Sequence, residues 1–130
     1  MIQANELRME NLVYDITNDR KVKITGIDPS GNNVYVDWQI GRAVYALNLK
    51  EIEPISLSEE ILLKFGFKWN DSAQCYQDNS MMELVKEEGI YPDYFLWHNN
   101  GMVGRNPMHY LHQLQNLYFA LTGKELDVKL

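Results

Sequence analysis

The residues whose types could jointly hold a small ligand are Arg42 and Arg105, the aromatics Tyr91, Tyr94 and Trp97, and the polar side chains His112, Gln113 and Asn116. Tyr91, Tyr94, Phe95 and Trp97 crowd into seven positions, 91–97. Strict strand alternation cannot bury them all. Tyr and Trp join an apolar body to a polar tip, so the cluster has two readings. It is either an aromatic-rich core with hydrated hydroxyls or a stacking pocket for a planar ligand. In the second reading Arg42 or Arg105 neutralises phosphate, and His112, Gln113 and Asn116 make polar contacts. Gln113, Gln115 and Asn116, with His109 and His112, put amides and imidazoles where an exposed helix commonly carries Lys and Glu. Such side chains suit a hydrogen-bonded seam between helix and barrel, or ligand contacts.

Familiar catalytic and metal patterns are weak. His109 and His112 stand at i and i+3 and could approach one metal, but no third ligand holds a partnering helical position. Neither a metal site nor a cofactor is expected. Cys75 has no adjacent base or redox motif and reads as a half-buried strand residue. Gly101-Met102-Val103-Gly104 lacks the Gly-Lys-Ser/Thr ending of a phosphate loop and reads as a turn. Glu83, Glu87 and Glu88 read as a solvated acidic surface. No catalytic residue is assigned, and the chain is expected not to be an enzyme. A competing reading makes His109 or His112 the general base of a nucleotide-cleaving activity.

The 130 residues suffice for one compact domain or two small modules sharing a core. Hydrophobic residues at 45% and charged residues at 23% are ordinary for a folded chain and argue against disorder. Twelve Lys and Arg against eighteen Asp and Glu give a net charge of −6, which disfavours a nucleic-acid polymer as partner. A local pair of cations would still serve a small nucleotide. The single cysteine excludes an intramolecular disulfide. The start, MIQANELRMENLVYD, lacks the basic, then apolar, pattern of a signal peptide, and no run approaches the length of a membrane span. A cytoplasmic protein without membrane contact is expected.

The elements that position these residues are read as α+β. Strands are expected at Leu12–Asp15, over RKVKITGI, at Asn33–Trp38 with Val34, Val36 and Trp38 inward and Tyr35 and Asp37 outward, and at Ala43–Leu49. Asp28–Asn33 and Ile40–Arg42 supply turns. Short strands with tight turns must curl to bury their apolar faces, so residues 1–55 read as a small Src-homology-3-like β-barrel. Residues 56–130 form the other half: a short helix, a β-meander and a carboxy-terminal amphipathic helix, the whole being one compact unit. Ser58 caps a helix over Glu59–Phe65 that buries Leu62, Leu63 and Phe65 and stops at Gly66. Strands follow at Phe67–Trp69, Gln74–Gln77 and Met82–Val85. The run from Ile90 to Trp97 carries Pro92 and reads as an edge strand or an irregular segment, and His98–Gly101 as a loop. Pro107 opens the last helix. Leu111, Leu114, Tyr118 and Leu121 form its buried stripe, with Leu117 widening it, and Thr122-Gly123 ends it.

The stretches Asn5-Glu6-Leu7-Arg8, Pro54-Ile55-Ser56-Leu57-Ser58-Glu59-Glu60-Ile61-Leu62-Leu63-Lys64-Phe65-Gly66-Phe67 and His112-Gln113-Leu114-Gln115-Asn116-Leu117-Tyr118-Phe119-Ala120-Leu121-Thr122-Gly123-Lys124-Glu125-Leu126 carry a resemblance. In them the chain resembles a family of small uncharacterised proteins of Bacteroidetes and their phages, and departs most over 68–106. The resemblance implies origin rather than activity. Small acidic phage proteins often act by binding, either blocking host defence proteins or sequestering nucleotide immune signals, and this analogy of context sets the expectations. The first is a non-catalytic small-ligand-binding protein, a phage anti-defence sponge for a cyclic nucleotide or an ADP-ribose-type signal. The alternative is a protein-interaction module that binds and inhibits or scaffolds a host or phage protein. An exposed strand edge and surface aromatics would also let a homo-oligomer build a pocket between chains.

Overall fold

A computed structural model describes residues 2–38, 44–78, 82–87, 93–98 and 101–126, with residues 98 and 101–106 described by their backbone. The architecture is α+β: two antiparallel five-stranded sheets and, among the described residues, two α-helices. None of these helices is long and apolar enough to cross a membrane. The chain divides into two compact units, Met1–Ser56 with Tyr110–Leu126, and Leu57–His109.

In the first unit β1 (Leu12–Asp15), β2 (Arg20–Ile27), β3 (Asn33–Asp37), β4 (Val44–Asn48) and β5 (Ile52–Glu53) form a sheet ordered β4-β3-β2-β1-β5. Alternation works as the sequence demands. Val13, Val22, Ile24, Val34, Val36 and Leu47 make a buried cluster with Ile2, Leu7 and Ile52, and Trp38 and Tyr45 pack against it half-buried. Tyr35 faces outward, whereas Asp37 is buried, in register with Lys23 and Val44. The sheet is open among the described residues and is not the closed barrel that the strand pattern suggests. β5 is only two residues long and runs into Pro54, which has no N–H with which to extend a ladder.

The second unit begins with α1 (Glu59–Lys64), whose Ser58 side chain accepts from the Ile61 N–H at 3.3 Å and whose chain turns out through Gly66 at φ +88°. Ile61, Leu62 and Phe65 are buried, while Leu63 is 53% exposed and does not belong to the core face. Positions 61, 62 and 65 share one side of a single-turn helix, and 63 lies about 100° further round. Strands β6 (Lys68–Asn70), β7 (Cys75–Gln77), β8 (Met82–Glu87), β9 (Asp93–His98) and β10 (Gly101–Met108) follow in the order β10-β9-β8-β7-β6. β9 is therefore an inner strand rather than an edge or an irregular segment. It starts after Pro92, which lies outside the described residues.

β10 occupies residues read from the sequence as a loop, a turn and a first helical turn. Gly101 and His98, expected in one loop, are register partners of β10 and β9. Two glycines and Pro107 obscure the strand, and its place at the end of the sheet order tolerates them. Pro107 thus lies in a strand, and the last helix, α2 (Leu111–Thr122), starts beyond it rather than at it. Its start is delayed because Tyr110 is held extended in a bridge to Ser56, while the Leu111 N–H donates to the Ile55 carbonyl at 2.8 Å. Gly123, at φ +70°, ends it as expected.

Candidate functional site

Of the eight residues singled out by type, Arg42 and Tyr91 lie outside the described residues. Arg105 lies in β10, where only its backbone is described. Tyr94 and Trp97 both sit on β9, three positions apart, so their side chains leave opposite faces of the strand. Tyr94 is 1% exposed and shares its face with buried Leu96, whereas Trp97 is half-buried on the other face. The two rings do not form one stacking surface. His112, Gln113 and Asn116 are the residues brought together, on the first two turns of α2.

Two neighbouring amides explain why α2 belongs with the first unit. Gln115, fully buried, accepts from the Leu12 N–H at 2.8 Å and donates to the Glu10 carbonyl at 3.1 Å, replacing ladder partners of β1. Asn116 accepts from Asn11 at 2.7 Å and from Arg8 Nε at 3.2 Å, and donates to the Glu6 carbonyl at 3.0 Å. Arg8 in turn pairs with Glu125 through two N–H groups and lies 4.4 Å over the Phe119 ring. The Gln113 oxygen accepts from the Tyr110 N–H at 3.1 Å and closes the helix start. Of the two readings of the amide-rich helix, these bonds match the structural seam.

What the seam leaves over is a recess of about 430 Å³ lined by Asn5, Glu6, His112, Gln113, Asn116, Leu117 and Ala120. His112 is 2% exposed, and neither ring nitrogen has a hydrogen-bond partner among the described residues. Its ring lies parallel to that of Tyr110, with centroids 5.9 Å apart. Burial pushes the imidazole below its ordinary value, against a smaller upward pull from the Glu6 carboxylate. At neutral pH it is an uncharged group with one N–H to give and one lone pair to fill. The Glu6 carboxylate binds the Gln3 N–H through Oε2 at 2.6 Å. Asn5 and Glu6, carried by a 3-10 turn at Ala4–Glu6, were not found by sequence reasoning, which had no signal linking residue 5 to residue 112.

The other titratable clusters are internally satisfied. Asp15, buried where β1 ends, accepts from the Tyr45 hydroxyl at 2.5 Å and from both nitrogens of Asn18 at 3.1 and 2.7 Å. Burial alone would raise its carboxyl, but these bonds together hold it below its ordinary value. Arg20 Nε donates to Tyr45 at 3.1 Å while its guanidinium lies 4.1 Å over the Trp38 ring. Cys75 is buried and bonded to Glu83 at 3.4 Å; both effects push its thiol up to about 11, so it stays a thiol. His109 lies before α2 and its Nδ1 is 3.4 Å from Asp93, so the two histidines are not an i, i+3 pair on one helix. Among the described residues no group of three or more His, Cys, Asp or Glu side chains is placed to hold a metal. Compared with protein-family models, curated proteins and solved structures, the chain matches none.

Proposed function

We propose that this chain is a non-catalytic small-ligand-binding protein, a cytoplasmic sponge that sequesters a nucleotide immune signal of the cyclic-nucleotide or ADP-ribose type. The observation that carries the binding reading is the buried His112 imidazole, unpartnered on both nitrogens at the wall of a recess. A buried polar group without a partner costs free energy that a ligand recovers on binding. The lining offers amides, an imidazole, a carboxylate and aliphatic carbon, which serve recognition by shape and hydrogen bonding. The anti-defence context rests on the resemblance to small proteins of Bacteroidetes and their phages. The Src-homology-3-like reading of the first unit is part of this proposal, supported by the meander order β4-β3-β2-β1-β5 and the 3-10 turn at Leu49–Glu51 before β5.

A second reading, the protein-interaction module, is favoured by the end strand β4. It pairs only with β3 in the sheet order and carries Val44 at 58% exposure, close in register to exposed Tyr35 and Ala46. Thermal unfolding across dinucleotides, cyclic oligonucleotides and ADP-ribose derivatives, with mass analysis of what denaturation releases, separates the readings. A ligand at a hundred times its dissociation constant adds about 2.7 kcal/mol, a rise of several degrees. Intact ligand recovered after a rise supports the sponge, and altered ligand would make the protein an enzyme. No rise across the panel would turn the assignment to the interaction module.

A further inference from the structure

We infer that the α2 recess holds the uncharged base end of a nucleotide, edge-on to His112, and leaves the phosphate outside. This rests on the ligand-binding reading and deepens it. The lining is selective in its charge. Glu6 contributes a carboxylate, and no Lys or Arg side chain is among the lining residues. Arg8, which donates to Asn116 and is not among the lining residues, is already paired with Glu125. A phosphate placed here would meet a negative charge with no cation to offset it.

A heterocyclic base, by contrast, fits each group present. Its ring N–H and amino groups are donors for the Glu6 carboxylate, whose Oε1 is not used by Gln3. Its ring nitrogens and carbonyls are acceptors for the Asn5 amide, which makes no hydrogen bond among the described residues, and for His112 as N–H donor once its ring turns to bring a nitrogen, closed to solvent in the unliganded fold, toward the recess. A neutral imidazole presents either tautomer, so His112 can give to an acceptor or accept from a donor. Leu117 and Ala120 supply an apolar wall for the ring face. Amides and carboxylates are the side chains that read base edges elsewhere by the same donor and acceptor matching. The four-sided match accounts for an imidazole that the fold leaves unbonded while its helix neighbours Gln113, Gln115 and Asn116 are bonded.

The test is titration calorimetry of the full chain with the four common ribonucleosides and with their 5′-monophosphates, alongside the signal panel above. The inference expects at least one nucleoside to bind within about threefold of its monophosphate. It further expects His112→Phe and Asn5→Ala each to weaken that nucleoside about tenfold, the loss of roughly one hydrogen bond. Asn5 is exposed and its side chain bonds nothing among the described residues, so Asn5→Ala keeps the fold if His112→Phe does not. Ala120→Leu, at an exposed helical position on the recess, should weaken binding by filling it. If phosphorylated ligands bind and nucleosides do not, the base assignment is overturned while the sponge stands. If tight binding survives His112→Phe, Asn5→Ala and Ala120→Leu alike, the ligand sits elsewhere and the assignment again falls. If neither nucleosides nor any phosphorylated ligand bind, both the assignment and the sponge are overturned.

Discussion

Gln115 and His112 stand one turn apart on α2, both buried, and their hydrogen bonding is opposite. Gln115 uses its oxygen on Leu12 and its nitrogen on Glu10, while both nitrogens of His112 are idle. The amide replaces strand partners for β1 and is part of the fold. The imidazole costs stability, and no hydrogen bond from the described residues compensates it. Asp15 sides with Gln115: a buried carboxylate surrounded by Tyr45 and Asn18, held ionised by its bonds. A satisfied buried polar group therefore marks architecture here, and an unsatisfied one marks the candidate site.

The sharpest way to break this contrast is Gln115→Leu. It orphans the buried Leu12 N–H and the Glu10 carbonyl together, and should cost about 2–4 kcal/mol in denaturant unfolding. A loss under about 0.5 kcal/mol would mean that α2 is not anchored to β1 by this amide. Asp15→Ala comes next, at about 1–3 kcal/mol, because Tyr45 and Asn18 lose their shared acceptor. Asp15→Asn gives a cleaner reading. The native carboxyl is held below its unfolded value, so its stabilisation is present above about pH 4 and is lost as pH falls through the lower folded value. The Asn variant should show a shallower acid limb than the parent.

The sequence made this division only half visible. Period-two alternation located β1 to β4, because their faces differ in polarity residue by residue, as at Val34, Tyr35 and Val36. β10 stayed hidden since Gly101, Gly104 and Pro107 carry no alternation, and its existence depends on pairing with β9. The same holds at the site. Hydrophobic periodicity placed Leu111 and Leu114 inward correctly, but it put Leu121 inward too, where the chain leaves it 36% exposed. It could not foresee that polar His112 and Gln115 complete the buried face, since the partners of Gln115 stand a hundred residues away and His112 is buried with none among the described residues. Crowding at 91–97 left core and pocket both open, and strand geometry sends Tyr94 and Trp97 to opposite faces.

A smaller effect, of the opposite sign to the first two, is expected from His112→Phe in the protein without ligand. A planar ring only one atom larger replaces the imidazole beside a recess and two idle polar atoms disappear, so stability should hold or rise by up to about 1 kcal/mol. Loss of binding in a variant that is as stable as its parent would separate site from scaffold in one measurement. A destabilisation of about 2 kcal/mol or more would instead place His112 among the architectural groups with Gln115.

The smallest effect is also the most specific, and it lies in the pH dependence near neutrality. His112 titrates below its ordinary value in the folded chain because burial disfavours the cation, with Glu6 opposing more weakly. Around and just below pH 6.5 the unfolded chain therefore binds a proton at this residue that the folded chain does not. Stability is retained above that range and falls as pH drops through it toward the lower folded value. His112→Phe abolishes this contribution, so the difference between variant and parent isolates it. A bound base would deepen the slope, since a donor seated on the imidazole lone pair competes with the proton. Parallel pH profiles for parent and variant, with and without nucleoside, would mean that the imidazole is hydrated after all and that the contrast with Gln115 is one of packing alone.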